Sequence, residues 1–113
     1  MAIIAIIGRP NVGKSSIFNR MVGRRTAIVD DQPGVTRDRI YGETEWASRR
    51  FYVVDTGGIM SEVDHPFMDL IAKQVDLALA ESSAVIFVVD GRDGVTTMDE
   101  EIALKLRKSG KPV

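Results

Sequence analysis

Cysteine is absent from the 113-residue chain, and histidine occurs once, at His65. The first absence excludes disulfides and thiolate zinc sites and fits a reducing cytosol. The second leaves too little imidazole for a conventional metal cage. Neither sign of charge predominates: 15 Lys and Arg stand against 16 Asp and Glu, so the balance points to no nucleic-acid or membrane surface. Long hydrophobic runs are also missing, since Ala2–Ile7 and Ala84–Val89 are far too short to cross a bilayer. No basic segment precedes "AIIAII", and a glycine-bearing loop follows it, which argues against a secretory leader. The expectation is a soluble cytoplasmic protein of a single small domain, hiding about two-thirds of the surface its unfolded chain exposes.

What is present is an alternation of elements. Ala2–Ile7 is apolar on both faces, as a strand buried in a parallel sheet would be. The spacing predicts a helix over Lys14–Met21, with Ile17 and Met21 on one face and Phe18 and Val22 beside it. Thr26 to Gly42 reads as one extended loop broken at Pro33-Gly34, and loops of that length are often functional. Thr44–Ala47 and Phe51–Asp55 read as a hairpin joined by the basic turn "SRR". "TGGIMSEVDH" is a second polar loop, ending at His65 as a helix-entry residue. A helix over Pro66–Ala80 follows, with Phe67, Ile71, Val75 and Ala78 on a shared face. Ala84–Asp90 is another wholly apolar strand, read as central and ending in an acid at the site edge. Thr97 and Glu100 spell a capping box for a last helix with Met98, Ile102 and Leu106 inward. Such alternation implies right-handed crossovers and a three-layer α/β domain with a mostly parallel sheet. Ligands of such sheets bind beyond the carboxyl ends of the strands, where both loops emerge.

"GRPNVGKS" carries the phosphate-loop spacing G-x-x-x-x-G-K-[ST] at Gly8, Gly13, Lys14 and Ser15. Glycines let the backbone curl so that successive N–H groups aim at phosphate oxygens, and the helix behind adds its positive end. Lys14 would reach the β- and γ-phosphates, and the Ser15 hydroxyl would bind Mg²⁺. The bland alternative is a glycine turn capped by Ser15 or Ser16, but the motif follows a buried strand and opens a helix. "DTGG" supplies D-x-x-G at Asp55 and Gly58. Asp55 can hold Mg²⁺ through water, and the Gly58 N–H can sense a γ-phosphate. By itself D-x-x-G is weak, since an acid often merely caps a turn. Thr36, in "PGVTRD", is the candidate second Mg²⁺ ligand, although a lone loop threonine is usually just that. Two loops ordered by one phosphate and its Mg²⁺ make a switch. Arg37, Arg39, Arg49 and Arg50 admit an RNA contact, but surface charges paired with Asp38, Glu43 and Glu45 are the simpler reading. Asp90 receives no catalytic role.

Together "GRPNVGKS", "PGVTRD" and "DTGG" resemble the translation-factor-type GTPases, and within them the Der (EngA) family of ribosome-assembly GTPases. The likeness runs along the whole chain, including "RIYGE" and "VVDGRDG", and looks like the first of that family's two tandem GTPase domains. Era-like and TrmE-like relatives usually carry D-T-A-G or D-T-P-G at the second loop. The resemblance implies a GTP/GDP switch acting on the large ribosomal subunit in the cytoplasm, with slow intrinsic hydrolysis. Lys14, Thr36 and Gly58 would carry the chemistry. Gly8, Arg9, Pro10, Asn11, Val12, Gly13, Lys14, Ser15 and Ser16 would wrap the phosphates on one side. Asp55, Thr56, Gly57, Gly58 and Ile59 would close the other. Mg²⁺ would sit at Ser15, Thr36 and Asp55, and Asn11 would help hold a K⁺ ion in place of an arginine finger. Ile59 stands where Ras-like proteins put a water-orienting glutamine, which matches the family's hydrophobic substitute.

The implied organisation is a partial GTPase domain over 1–113, with phosphate loop 8–15, first switch about 26–42 and second switch about 55–66. The family's guanine-reading N-K-x-D is absent from these residues, so nothing in them selects guanine over adenine. Its second GTPase domain and RNA-binding domain would belong to a longer parent chain, and "AVIFVVD" wants a strand on each side. Two other readings remain: a phosphate-loop ATPase or small-molecule kinase, and a nucleotide-dependent interaction module that barely hydrolyses.

Overall fold

The computed structural model describes residues 2–9, 12–23, 28–29, 40–56 and 67–113. Within them, strands β1 (Ala2–Ile7), β2 (Ile28–Val29), β3 (Ile40–Trp46), β4 (Arg49–Asp55) and β5 (Ala84–Phe87) form one sheet. Its order is β2-β3-β4-β1-β5. The helices among the described residues are α1 (Lys14–Val22), α2 (Phe67–Glu81) and α3 (Thr97–Ser109).

β1 occupies the middle because both of its faces are apolar. Ala5 and Ile7 point to one side, into a cluster with Val75 and Ala78 of α2 and Ile102 and Leu106 of α3. Ile6 points to the other, against Phe18 and Val22 of α1 and Val53 of β4. That alternation is the period of a strand expressed as two cores, which makes the domain three layers thick. β1 runs parallel to β4 and to β5, with Ile6 beside Asp55 and beside Ile86. β2 and β3 extend the sheet antiparallel beyond β4, so it is mixed, and the mostly parallel expectation holds for β4, β1 and β5.

Helix α1 lies close on the sheet because β3 offers it a glycine. A Cβ on Gly42 would fall 2.2 Å from Val22 Cγ2 and 2.9 Å from Phe18 Cζ. The neighbouring Thr44 hydroxyl donates to the Met21 carbonyl at 2.6 Å, tying the end of the helix to the same strand.

Several expectations need correction. The stretch read as one loop over 26–42 is paired at both ends, Ile28 opposite Tyr41 and Val29 opposite Ile40. The hairpin turn is Ala47-Ser48, at φ 52° and 66°, rather than "SRR". Arg49 and Arg50 sit in β4 opposite Trp46 and Glu45, because two positive-φ residues suffice to reverse a hairpin. Arg50 pairs with Glu43 at 3.9 Å, as a surface charge. The capping box lies one residue earlier than expected: Thr96 Oγ1 accepts from the Asp99 N–H while the Thr96 N–H donates to Asp99 Oδ2. β5 stops at Phe87, where β1 ends, and among the described residues it is the last strand of the sheet. On its outer side the Val85 N–H donates to the Pro112 carbonyl at 2.9 Å. Lys111 Nζ donates to the carbonyls of Leu79 and Ser82 at the end of α2. His65 and Pro66, and the side chains of Phe67 and Ile71, lie outside the described residues.

Candidate nucleotide-phosphate site

The loop after β1 begins with a close approach of two backbones. A Cβ on Gly8 would lie 2.6 Å from the Val88 carbonyl oxygen, which cannot swing aside as a side-chain tip would. The loop ends at Gly13, whose φ of +107° is a conformation that side-chain-bearing residues rarely adopt. From there α1 starts, its first bond running from the Ile17 N–H to the Gly13 carbonyl at 3.1 Å. Among the described residues no side chain caps this helix, and no acid stands in its own first turn. The positive end of α1 therefore faces the loop with no negative charge of its own to neutralise it.

Lys14 is only 6% exposed. Its ammonium donates to the Gly8 carbonyl at 2.8 Å and the Arg9 carbonyl at 2.7 Å, which holds it across the loop. Burial lowers its pKa below the ordinary 10.5, and the Asp55 carboxylate partly counters that. A desolvated cation at a bare helix start is a setting that favours a multiply charged anion.

Asp55 ends β4 in register with Ile6, which brings it beside the start of α1. The Ser15 hydroxyl donates to Asp55 Oδ2 at 3.1 Å. A hydroxyl and a carboxylate are the hard oxygen donors that Mg²⁺ takes, and it usually completes its shell with water and phosphate oxygens. Among the described residues no three His, Cys, Asp or Glu side chains converge on one point. The pair fits a cation shared with phosphates and does not form a cage.

The remaining expected residues divide. Thr56 is buried and donates from Oγ1 to the Ile6 carbonyl at 2.9 Å, so its side chain stitches the second loop to β1. Val12 packs against the α1 cluster, and Ser16 is exposed on the helix. Arg9 sets its side chain against Asp93 at 3.2 Å and Asp99 at 3.4 Å. Asp90 accepts from the Arg92 N–H at 2.8 Å, and that bond chiefly lowers its pKa from 3.8. Pro10, Asn11, Thr36, Gly57, Gly58 and Ile59 lie outside the described residues.

Asp99 was not singled out as a site residue from the sequence. An acid three residues after a threonine reads as a helix cap, and nothing local says which arginine reaches it. Gly42 had a signal, since glycine inside a strand often marks a close approach.

A family model described as 50S ribosome-binding GTPase matches residues 3–113. The chain belongs to that family. Its fold is accordingly the phosphate-loop GTPase domain. The chain is 56% identical over 111 residues to GTPase Der of Geobacillus sp. (strain WCH70), covering 98% of this chain and 25% of that protein. GTPase Der of Heliobacterium modesticaldum is 54% identical over 112 residues, with the same coverage of 98% and 25%. The chain thus spans about a quarter of the length of these curated relatives. Among solved structures, the G domain of the T. maritima FeoB iron transporter matches with a TM-score of 0.73 at 25% identity, covering 99% of this chain and 69% of that one. Era in complex with MgGDPNP and nucleotides 1506–1542 of 16S ribosomal RNA matches with a TM-score of 0.71 at 30% identity, covering 99% and 38%. The Der resemblance read from the motifs agrees with these identities.

Proposed function

We propose that the chain is a GTP-binding and GTP-hydrolysing switch, part of a Der-type tandem GTPase acting in assembly of the large ribosomal subunit. The observation that carries this reading is Lys14, buried and desolvated across the loop at an uncapped helix start. When phosphates bind, the ammonium neutralises charge at the β- and γ-positions while the loop N–H groups and the α1 dipole hold the oxygens. Ser15 and Asp55 are the residues that would hold Mg²⁺, which neutralises the charge that develops on the phosphate oxygens. Thr36 and the Gly58 N–H would report the γ-phosphate from the first and second switch loops, about 26–42 and 55–66. Asn11 would hold K⁺, and with Ile59 in place of a glutamine, turnover without K⁺ would be slow. The family description and the Der relatives support the guanine nucleotide and a ribosomal partner, and a cytoplasmic location belongs to the same proposal.

Calorimetric GDP binding with Mg²⁺, for the chain and its Lys14→Ala variant, tests the reading. Affinity should fall by at least about 100-fold in the variant. Undiminished GDP binding there would sink the phosphate-site assignment. GTP turnover that rises when Na⁺ is exchanged for K⁺ supports the K⁺ site, whereas ADP binding tighter than GDP in a longer chain that extends past Val113 through the next strand and loop would favour an ATPase.

A further inference from the structure

Arg9 holds the second position of the phosphate loop, and its guanidinium lies against the 91–94 turn and α3. Nη2 donates to Asp93 Oδ2 at 3.2 Å, on the exposed rim. Nε faces Asp99 Oδ1 at 3.4 Å, and there both groups are buried: Asp99 is 2% exposed and the Arg9 side chain 17%. That approach is an ion pair without hydrogen-bond alignment, and both atoms lack any other hydrogen-bond partner.

A helix cap does not require this. In its capping role Asp99 uses only Oδ2, which accepts from the Thr96 N–H at 3.0 Å. A cap can sit at the surface, where its spare oxygen is hydrated. Burying that oxygen beside one arginine is costly unless the pairing serves something. The other end of Arg9 shows what it can serve. The Arg9 carbonyl is one of the two that hold Lys14 Nζ, at 2.7 Å. Asp99 is fixed in turn by α3, whose Ile102 and Leu106 are anchored in the core. A continuous linkage runs from that core through Asp99 and Arg9 to the lysine.

We propose that Asp99 is a positioning residue for the phosphate loop: acting through Arg9, it sets where the loop backbone holds Lys14 and thereby the affinity for nucleotide phosphates. The proposal rests on the reading of the loop as a GDP site. It makes α3 part of the phosphate-binding apparatus without any contact of its own with the ligand.

GDP affinity and thermal unfolding, measured in parallel on the whole chain, test it. Asp99→Asn keeps the volume and the cap acceptor and removes the charge. It should weaken GDP binding about tenfold, and Arg9→Met should do the same. The double variant should be no weaker than either single one, because both break one linkage. Thr96→Ala removes the cap and leaves the ion pair, so it should lower the unfolding temperature without changing GDP affinity. If burial makes Asp99→Asn fail to fold, Arg9→Lys retains a cation beside Asp99 and loses only the planar fork. That variant should weaken GDP binding by about threefold to fivefold. Unchanged GDP affinity in the folded variants, with unfolding temperatures lowered as in Thr96→Ala, would overturn the proposal alone. A wild-type chain that binds no GDP would overturn both the proposal and the functional reading beneath it.

Discussion

At the carboxyl ends of β1 and β4, Lys14, Asp55 and Thr56 are buried polar groups, each hydrogen-bonded across elements. At the other end of the sheet, the β3–β4 tip, Trp46 is 77% exposed, and Arg49 and Arg50 stand in solvent. The first end contains groups that would be costly to bury for stability alone, and each is retained with a partner. The second is held by local geometry, a reversal at Ala47-Ser48 and cross-strand pairing. The contrast is one of kind: buried polarity gathers where the phosphate loop is, whereas the side-chain-bearing residues at positive φ, Ala47 and Ser48, sit at the hairpin end.

The comparison can be broken most sharply at Gly8. Gly8→Ala would push a methyl group against the Val88 backbone, and the Val88 N–H is itself bonded to the Ile7 carbonyl at 2.8 Å. The expected cost is about 2–3 kcal/mol in urea unfolding. A cost below about 0.5 kcal/mol would mean that the loop end is slack.

A second test uses pH. Burial holds the Lys14 pKa below 10.5 in the folded chain, so the native state loses that proton before the unfolded state does. Between the lowered value and 10.5 the unfolded state binds more protons, and stability attributable to Lys14 rises with pH. Lys14→Met should therefore gain less than the parent as pH is raised from about 8 towards 10.5. Parallel stability curves would show that the lysine is solvated after all.

The smallest effect belongs to the hairpin. Ala47 and Ser48 both hold positive φ, where glycine is at ease and side chains are not. Ser48→Gly should stabilise the chain by up to about 1 kcal/mol and leave GDP affinity unchanged. A shift in affinity would join the two ends and end the distinction.

The sequence alone made much of this legible, because the signals are local. Ala2–Ile7 and Lys14–Met21 were readable from apolar period, and α2 was readable to within a residue at each end. The phosphate loop was legible because glycine spacing before a lysine is a backbone requirement written in consecutive residues. Errors arose where a partner sets the boundary. β5 ends with β1, and β2 exists only because β3 lies beside it. The capping box shifted by one residue because Thr96 and Thr97 are equivalent on paper, and only the backbone of Thr96 is extended.

Tertiary structure alone decided the long-range meetings. Ser15 reaches Asp55 across 40 residues, and Arg9 reaches Asp93 across 84. Both meetings follow from the placement of β1 between β4 and β5, which sets the loop after β1 beside the ends of its neighbours. Strand order is a competition among ways of burying the same apolar faces, so no single segment encodes it. The sequence by itself determined that the chain would carry a phosphate loop on a buried strand. Only the packed sheet decided that Asp55 would meet Ser15 and that a buried acid on α3 would hold the arginine of that loop.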